Sequence, residues 1–139
     1  MVVAGSAEGK ISIWDLPSGN LVRSYNAEES AIRTIAFNHN GNFFATAGGD
    51  SRICIWNAFN QSLENTMLAH TDTVESIRYS PNGRYIISGG YDKYIVMSEV
   101  SSGEIVFYSH VQPYPITSVA FNPNGSEFIT TSFQSDTIK

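Results

Sequence analysis

The chain has 139 residues, with 42% apolar and 15% charged, the balance of one packed globular domain and not of a disordered segment. Its formal charge of −5 comes with eight Lys and Arg scattered singly, so there is no basic patch of the kind nucleic acid needs. Cys54 is the only cysteine, which excludes an intramolecular disulfide and suits an intracellular place, the cytoplasm first and the nucleus also open.

In chain order, "MVVAGSAEGK" has no basic flank leading into an apolar core, so no signal peptide is read there. No apolar run anywhere approaches the roughly 18 residues a membrane span requires. "MVVAGS" reads as a short strand, and "KISIWD" at 10–15 as the next. From there the chain repeats itself. "IAFNHNG" (35–41), "IRYSPNG" (77–83) and "VAFNPNG" (119–125) set Phe37, Tyr79 and Phe121 at a spacing of 42 residues. Ile11, Ile53 and Ile95 keep that step, as do Ile32, Val74 and Ile116, and Gly41, Gly83 and Gly125. Trp14 and Trp56 keep it too, with Ser98 where a third tryptophan would fall.

Each unit reads as four strands, called a to d. In the copy from 71 to 110, "TVESIRYS" is strand a, closed by Pro81-Asn82-Gly83, and "YIISGG" is strand b. A tight turn at Tyr91-Asp92-Lys93 leads to strand c, "YIVMSEV", and Ser101-Ser102-Gly103 turns into strand d, "EIVFYS". Asn-Gly and Ser-Gly between β-branched and aromatic runs are hairpin signals, because they tolerate φ > 0. No stretch has a 3.6-residue apolar stripe long enough for a helix. The strands alternate poorly: "RICIW" and "YIVM" are nearly continuous, which suits strands covered on both faces of the sheet. Small sheets buried on both faces and repeated about every 40 residues describe propeller blades stacked side by side.

On these residues the chain resembles the WD-repeat β-propellers, whose period and Gly-His…Trp-Asp signature it approximates. "IWD" (13–15) and "IWN" (55–57) match the end of the family's third strand, and "LAHTDTV" (68–74) its Gly-His opening, with Ala69 in place of glycine. The fold expected is all-β: a propeller segment of four-stranded antiparallel blades. Residues 1–26 supply strands b-c-d, 27–68 and 69–110 complete blades, and 111–139 strands a-b-c, ending in a c strand at "TIK". Those remnants duplicate b and c instead of complementing each other. The stretch therefore reads as a window of a longer propeller, whose remaining blades or further chains are needed for closure.

His70, Ser88 and Asp92 suggest a serine hydrolase, and up-and-down topology supports their proximity. The d–a loop and b–c turn share one end of a blade, and Ser88 lies just below. A nucleophile would also need exposure and an oxyanion site, and no Gly-x-Ser-x-Gly elbow is present. The resemblance implies instead a buried hydrogen-bond network of His, Ser/Thr, Asp and the strand-c tryptophan. In the first complete blade Thr46, Asp50 and Trp56 hold network positions, with Glu28 where histidine belongs; two carboxylates there should turn Glu28 outward to solvent. In the second, His70, Ser88 and Asp92 are present and Ser98 replaces the tryptophan.

The other candidates are weaker. His39, His70 and His110 lack metal spacing, one cysteine builds no zinc site, and no P-loop or dinucleotide fingerprint occurs, so no metal or cofactor is expected. Gly48-Gly49 and Gly89-Gly90 are bend glycines. Asn60 and Asn124 open Asn-x-Ser triplets common by chance. Partner-binding candidates are the d–a and b–c loop residues Glu28, Glu29, Thr71, Thr73, Tyr91, Tyr114 and Phe133, with Tyr91 first as an aromatic on a loop tip. The expectation is a non-catalytic protein-interaction scaffold binding neutral or basic protein segments, not nucleic acid or membrane. The alternative is a regulatory or structural propeller segment attached to an enzyme elsewhere in the full-length chain.

Overall fold

A computed structural model describes residues 1–133. Those residues form four antiparallel sheets and no helix. Sheet 1 contains β1 (Val2–Gly5), β2 (Lys10–Trp14) and β3 (Leu21–Asn26). Sheet 2 is β4 (Ile32–Phe37), β5 (Phe43–Gly48), β6 (Arg52–Asn57) and β7 (Leu63–Leu68). Sheet 3 repeats it as β8 (Val74–Tyr79), β9 (Tyr85–Gly90), β10 (Ile95–Glu99) and β11 (Ile105–Tyr108). Sheet 4 has β12 (Ile116–Phe121) and β13 (Phe128–Ser132). The c strand expected at "TIK" lies outside the described residues.

The chain meanders through each sheet in order, as hairpin turns dictate. Gly41 and Gly83, the glycines of the a–b turns, stand at φ +74° and +71°, a region a side chain would resist. The b–c turns use non-glycine residues there, Ser51 at φ 68° and Lys93 at φ 69°, and Asp50 and Asp92 brace them from within. Asp50 Oδ1 accepts from the Arg52 N–H at 3.1 Å and Asp92 Oδ1 from the Tyr94 N–H at 3.2 Å.

Continuous apolar runs arise because alternate side chains serve two different cores. In β6, Ile53 and Ile55 face sheet 3, packing with Val74, Ile77 and Ile86. Cys54 and Trp56 face sheet 1, packing with Ile11 and Ile13. Ile87, Ile95, Ile116 and Val119 fill the space between sheets 3 and 4. Inner strands carry a further contact. Each a–b pair slips register at the same place, at Ile32/Thr34, Val74/Ser76 and Ile116/Ser118. Hydroxyls beside that slip reach the next sheet: Thr34 Oγ1 accepts from the Ile77 N–H at 3.3 Å, and Ser76 Oγ from the Val119 N–H at 3.2 Å. Arg33 and Glu75, on the same two inner strands, form an ion pair at 3.1 Å.

Gly48 and Gly90 close strand b against the start of strand a. A Cβ on Gly48 would run into the Ala31 carbonyl oxygen, and one on Gly90 into that of Thr73. They are close-approach glycines, which is why strand b can end against the d–a loop.

Burial between sheets should dominate stability. Ile77 is fully buried whereas Ile129 is 71% exposed. In urea unfolding, Ile77→Ala is expected to cost about 2–5 kcal/mol and Ile129→Ala within about 0.5 kcal/mol.

Candidate functional site

At one end of the sheets the d–a loops meet the b–c turns. The Gly49 N–H donates to the Ala31 carbonyl at 3.0 Å, that of Tyr91 to Thr73 at 2.9 Å, and that of Phe133 to Pro115 at 3.2 Å. One backbone clasp thus recurs at three equivalent places.

Beneath this end in sheet 3 lie His70, Ser88 and Asp92. His70 Nδ1 stands 2.8 Å from Asp92 Oδ2, and its Nε2 2.8 Å from Ser88 Oγ. A carboxylate only accepts, so Nδ1 carries the proton and Nε2 takes the Ser88 hydroxyl. Burial is the larger influence on His70 and holds its pKa below the ordinary 6.5, against the opposing pull of Asp92. The ring is therefore neutral at pH 7. Asp92 also receives the Thr71 N–H at 3.1 Å, so three donors converge on it. Ser88 is fully buried, and its hydroxyl has no path to a substrate. Ser98, across the sheet, buries a hydroxyl that has no hydrogen-bond partner among the described residues.

Sheet 2 solves the same position differently. The Trp56 Nε1–H donates to Thr46 Oγ1 at 2.9 Å, and the Thr46 hydroxyl donates to Glu28 Oε1. Glu28 is not turned out to solvent, as the sequence suggested. It folds inward and occupies the histidine place as acceptor at the end of a Trp–Thr relay. The hydrogen bond from the Thr46 hydroxyl holds the carboxyl inside despite the neighbouring Asp50 charge. Repulsion is still present. Burial raises the Glu28 pKa above the ordinary 4.5, the Thr46 hydrogen bond opposes this, and the Asp50 charge adds to it. Its second oxygen, Oε2, is enclosed with no hydrogen-bond partner among the described residues. The loop that places Glu28 is anchored on sheet 1, where the Gly9 carbonyl accepts from the Ala27 and Glu28 N–H groups, each at 3.0 Å.

The remaining candidates occupy the rim of this end. Tyr91, Tyr114 and Phe133 are 47%, 38% and 63% exposed. Glu29 and Thr71 are exposed and Thr73 is half-buried. Sequence reasoning missed a cavity of about 260 Å³ beside Trp56, lined by Ala27, Glu28, Glu29, Asp50, Arg52, Cys54, Trp56, Leu63 and Thr66. Its sequence signal was a departure from the repeat: Arg52 and Thr66 stand where sheet 3 has Tyr94 and Tyr108, whose rings lie 4.6 Å apart. Burial pushes the Cys54 thiol up to about 11, which leaves it protonated and unreactive at neutral pH. Among the described residues no group of His, Cys, Asp and Glu is arranged to hold a metal, and no helix is long and apolar enough to cross a membrane.

Two expectations follow. Asp92→Ala strands buried donors and is expected to cost about 1–3 kcal/mol. Asp50→Ala loses the Arg52 turn contact and relieves repulsion on Glu28, so urea melts should show a smaller cost. The second concerns pH. Glu28 binds its proton more tightly in the fold than in the unfolded chain, so its stabilising contribution is complete below the ordinary 4.5. It is lost as pH rises through the elevated folded value. Glu28→Gln should therefore gain stability relative to the parent on going from pH 4 to pH 7, measured by paired urea titrations.

The family described as WD domain, G-beta repeat (WD40) matches residues 19–57, 61–97 and 103–139, most of the chain. Each of the first two matched units starts on an outer strand and runs through strands a and b into strand c of the next sheet. Pre-rRNA-processing protein IPI3 of Meyerozyma guilliermondii is 39% identical over 51 residues. That stretch is 37% of this chain and 11% of that protein, so the chain matches only a small part of the relative's length.

Proposed function

The chain belongs to the WD40 family, the WD domain or G-beta repeat, and from that premise we propose that it is a non-catalytic scaffold within a larger assembly. WD40 domains generally work by binding other proteins. The docking end is the one where d–a loops and b–c turns meet, and the partner there is a neutral or basic protein segment. One observation carries this assignment: three exposed aromatics, Tyr91, Tyr114 and Phe133, share the rim of this end, against Phe37 and Phe59 toward the other.

At the opposite end the turns consume their own polar groups. Asn38 Oδ1 accepts from the Phe43 N–H at 3.2 Å, and Asn82 Oδ1 from the Arg84 N–H at 3.0 Å. Asn124 Oδ1 takes the Ser126 N–H at 2.9 Å. The docking end keeps Glu29 outside any ion pair among the described residues and sets Tyr91, Tyr114 and Phe133 on its rim, aromatics of the type that anchor interfaces. Its carboxylates Glu28, Glu29 and Asp50 outnumber Arg52, the one cation lining the same cavity, which favours a partner of neutral or positive charge. The outer sheets leave apolar side chains such as Val22 and Ile129 exposed; in this reading further blades, from a longer chain or from another one, cover them. The pre-rRNA-processing name of the relative favours an assembly that handles pre-rRNA, with a nuclear place for the complex.

The test uses a partner captured by cross-linking and then purified. Tyr91→Ala is expected to weaken binding by about 2 kcal/mol, about 30-fold. Glu29→Lys should lower the association rate and its salt dependence. Phe59, 73% exposed in a c–d turn at the opposite end, is the control, and Phe59→Ala should leave affinity within about twofold. Loss of binding in Phe59→Ala with an intact Tyr91→Ala would put the docking face at the other end.

A further inference from the structure

The cavity beside Trp56 is walled by the loop that follows sheet 1, Ala27 to Glu29, and by the b–c turn, β6 and β7 of sheet 2. At about 260 Å³ it is smaller than the roughly 300–1,000 Å³ of small-molecule sites. That size suits one side chain of a docked polypeptide better than a cofactor. Its chemistry is uneven. Ala27, Trp56 and Leu63 make apolar walls, while Glu28, Glu29 and Asp50 face Arg52, three formal negative charges against one positive. Among the described residues none of the three carboxylates forms an ion pair. Glu28 contributes charge more than contact, since Thr46 holds one oxygen and the other is enclosed, without a partner among the described residues. An uncompensated, partly desolvated carboxylate beside apolar walls attracts a cation more strongly than one in open water.

We propose that this cavity receives an arginine side chain of the docked partner, its stem along Trp56 and Leu63 and its guanidinium among Glu28, Glu29 and Asp50. The inference rests on the docking-end reading and names the residue type that the end selects. Arginine fits better than lysine because its planar fork offers five donors to carboxylates spread over two loops. Its charge is also less strongly hydrated, so entering a partly apolar cavity costs less. Arg52 is the resident competitor. It occupies a site that is tyrosine in sheet 3, so it places a cation of the chain's own at the cavity wall.

The test titrates the full chain, with Trp14→Phe so that fluorescence reports Trp56 alone. The probes are acetyl-Gly-Arg-Gly-amide and its neutral citrulline counterpart. The arginine peptide is expected to give a saturable change, with the citrulline peptide about tenfold weaker, the loss of one charge-assisted contact. Glu28→Gln with Glu29→Gln should weaken the arginine peptide at least as much. Glu29→Gln alone, an exposed change that spares the buried relay, should weaken it in part. Arg52→Gln should tighten it severalfold, and Glu127→Gln, in the a–b turn of sheet 4, should do nothing. Equal responses to the two peptides, no saturable response, or indifference to the Glu28 and Glu29 changes would overturn the proposal. The two readings fail separately. If the purified partner needs Tyr91 but the arginine peptide does not bind, the cavity assignment falls and the docking end stands. If the peptide binds while the partner ignores Tyr91, the reverse holds.

Discussion

Among the described residues sheets are covered only by other sheets, with no helix over any face, and the rest of the structure follows from that constraint. Between the middle sheets, apolar side chains must point both ways along one strand, which is why β6 sends Ile53 and Ile55 one way and Cys54 and Trp56 the other. The inner strands approach closely enough for backbone to meet side chain across the gap. The register slip at Thr34 and again at Ser76 frees a hydroxyl to accept an N–H of the following sheet. A buried N–H left unpaired would be costly, so the slip and the hydroxyl have to occur together. Stability in such an array is a property of neighbouring pairs more than of any one sheet.

Polar groups also enter the interior, with Thr46 on β5 and Ser88 on β9 both fully buried. They need partners there, and the two middle sheets find them by opposite routes. Sheet 3 has a histidine with an acceptor on one nitrogen and a hydroxyl on the other, and gives up the tryptophan; the Ser98 hydroxyl is left without a partner as a result. Sheet 2 keeps the tryptophan, stacked on Phe44 at 6.5 Å and met edge-on by Tyr25 at 5.8 Å, and gives up the histidine. Glu28 then serves as acceptor for Thr46, at the cost of holding a carboxyl near Asp50. The unmet group is the Ser98 hydroxyl in sheet 3 and Glu28 Oε2 in sheet 2, each without a partner among the described residues.

Much of this was legible in the sequence. The 42-residue register located the turns, the four-strand unit and the all-β fold, because turn glycines and β-branched runs act locally. "YIISGG" at 85–90 coincides with β9, and the proximity of His70, Ser88 and Asp92 follows from topology alone. The orientation of Glu28 did not follow. It depends on a hydroxyl 18 residues away and on a loop anchored to Gly9 of another sheet. The cavity was hidden for a similar reason. Arg52 and Thr66 sit on adjacent strands, and only pairing brings them to one face. The register slips were also invisible, though hydroxyl residues at 34, 76 and 118 marked them for a reader comparing the copies position by position.

A repeating scaffold separates two kinds of information. Positions that agree between copies, such as Ile11, Ile53 and Ile95, meet the same demand in each sheet and say little about what the protein recognises. Positions that disagree while their surroundings agree have been released from that demand. Arg52 against Tyr94, Thr66 against Tyr108 and Glu28 against His70 are three such departures, and all three fall around one cavity. Two aromatic rings would fill that ground and contribute burial, as Tyr94 does against the core between sheets 2 and 3. Sheet 2 forgoes that burial, and also keeps a carboxyl in a place that raises its pKa. Neither choice helps the fold to stand. The three departures exchange burial for charge at one place, and that exchange is the ground on which the proposed arginine contact stands.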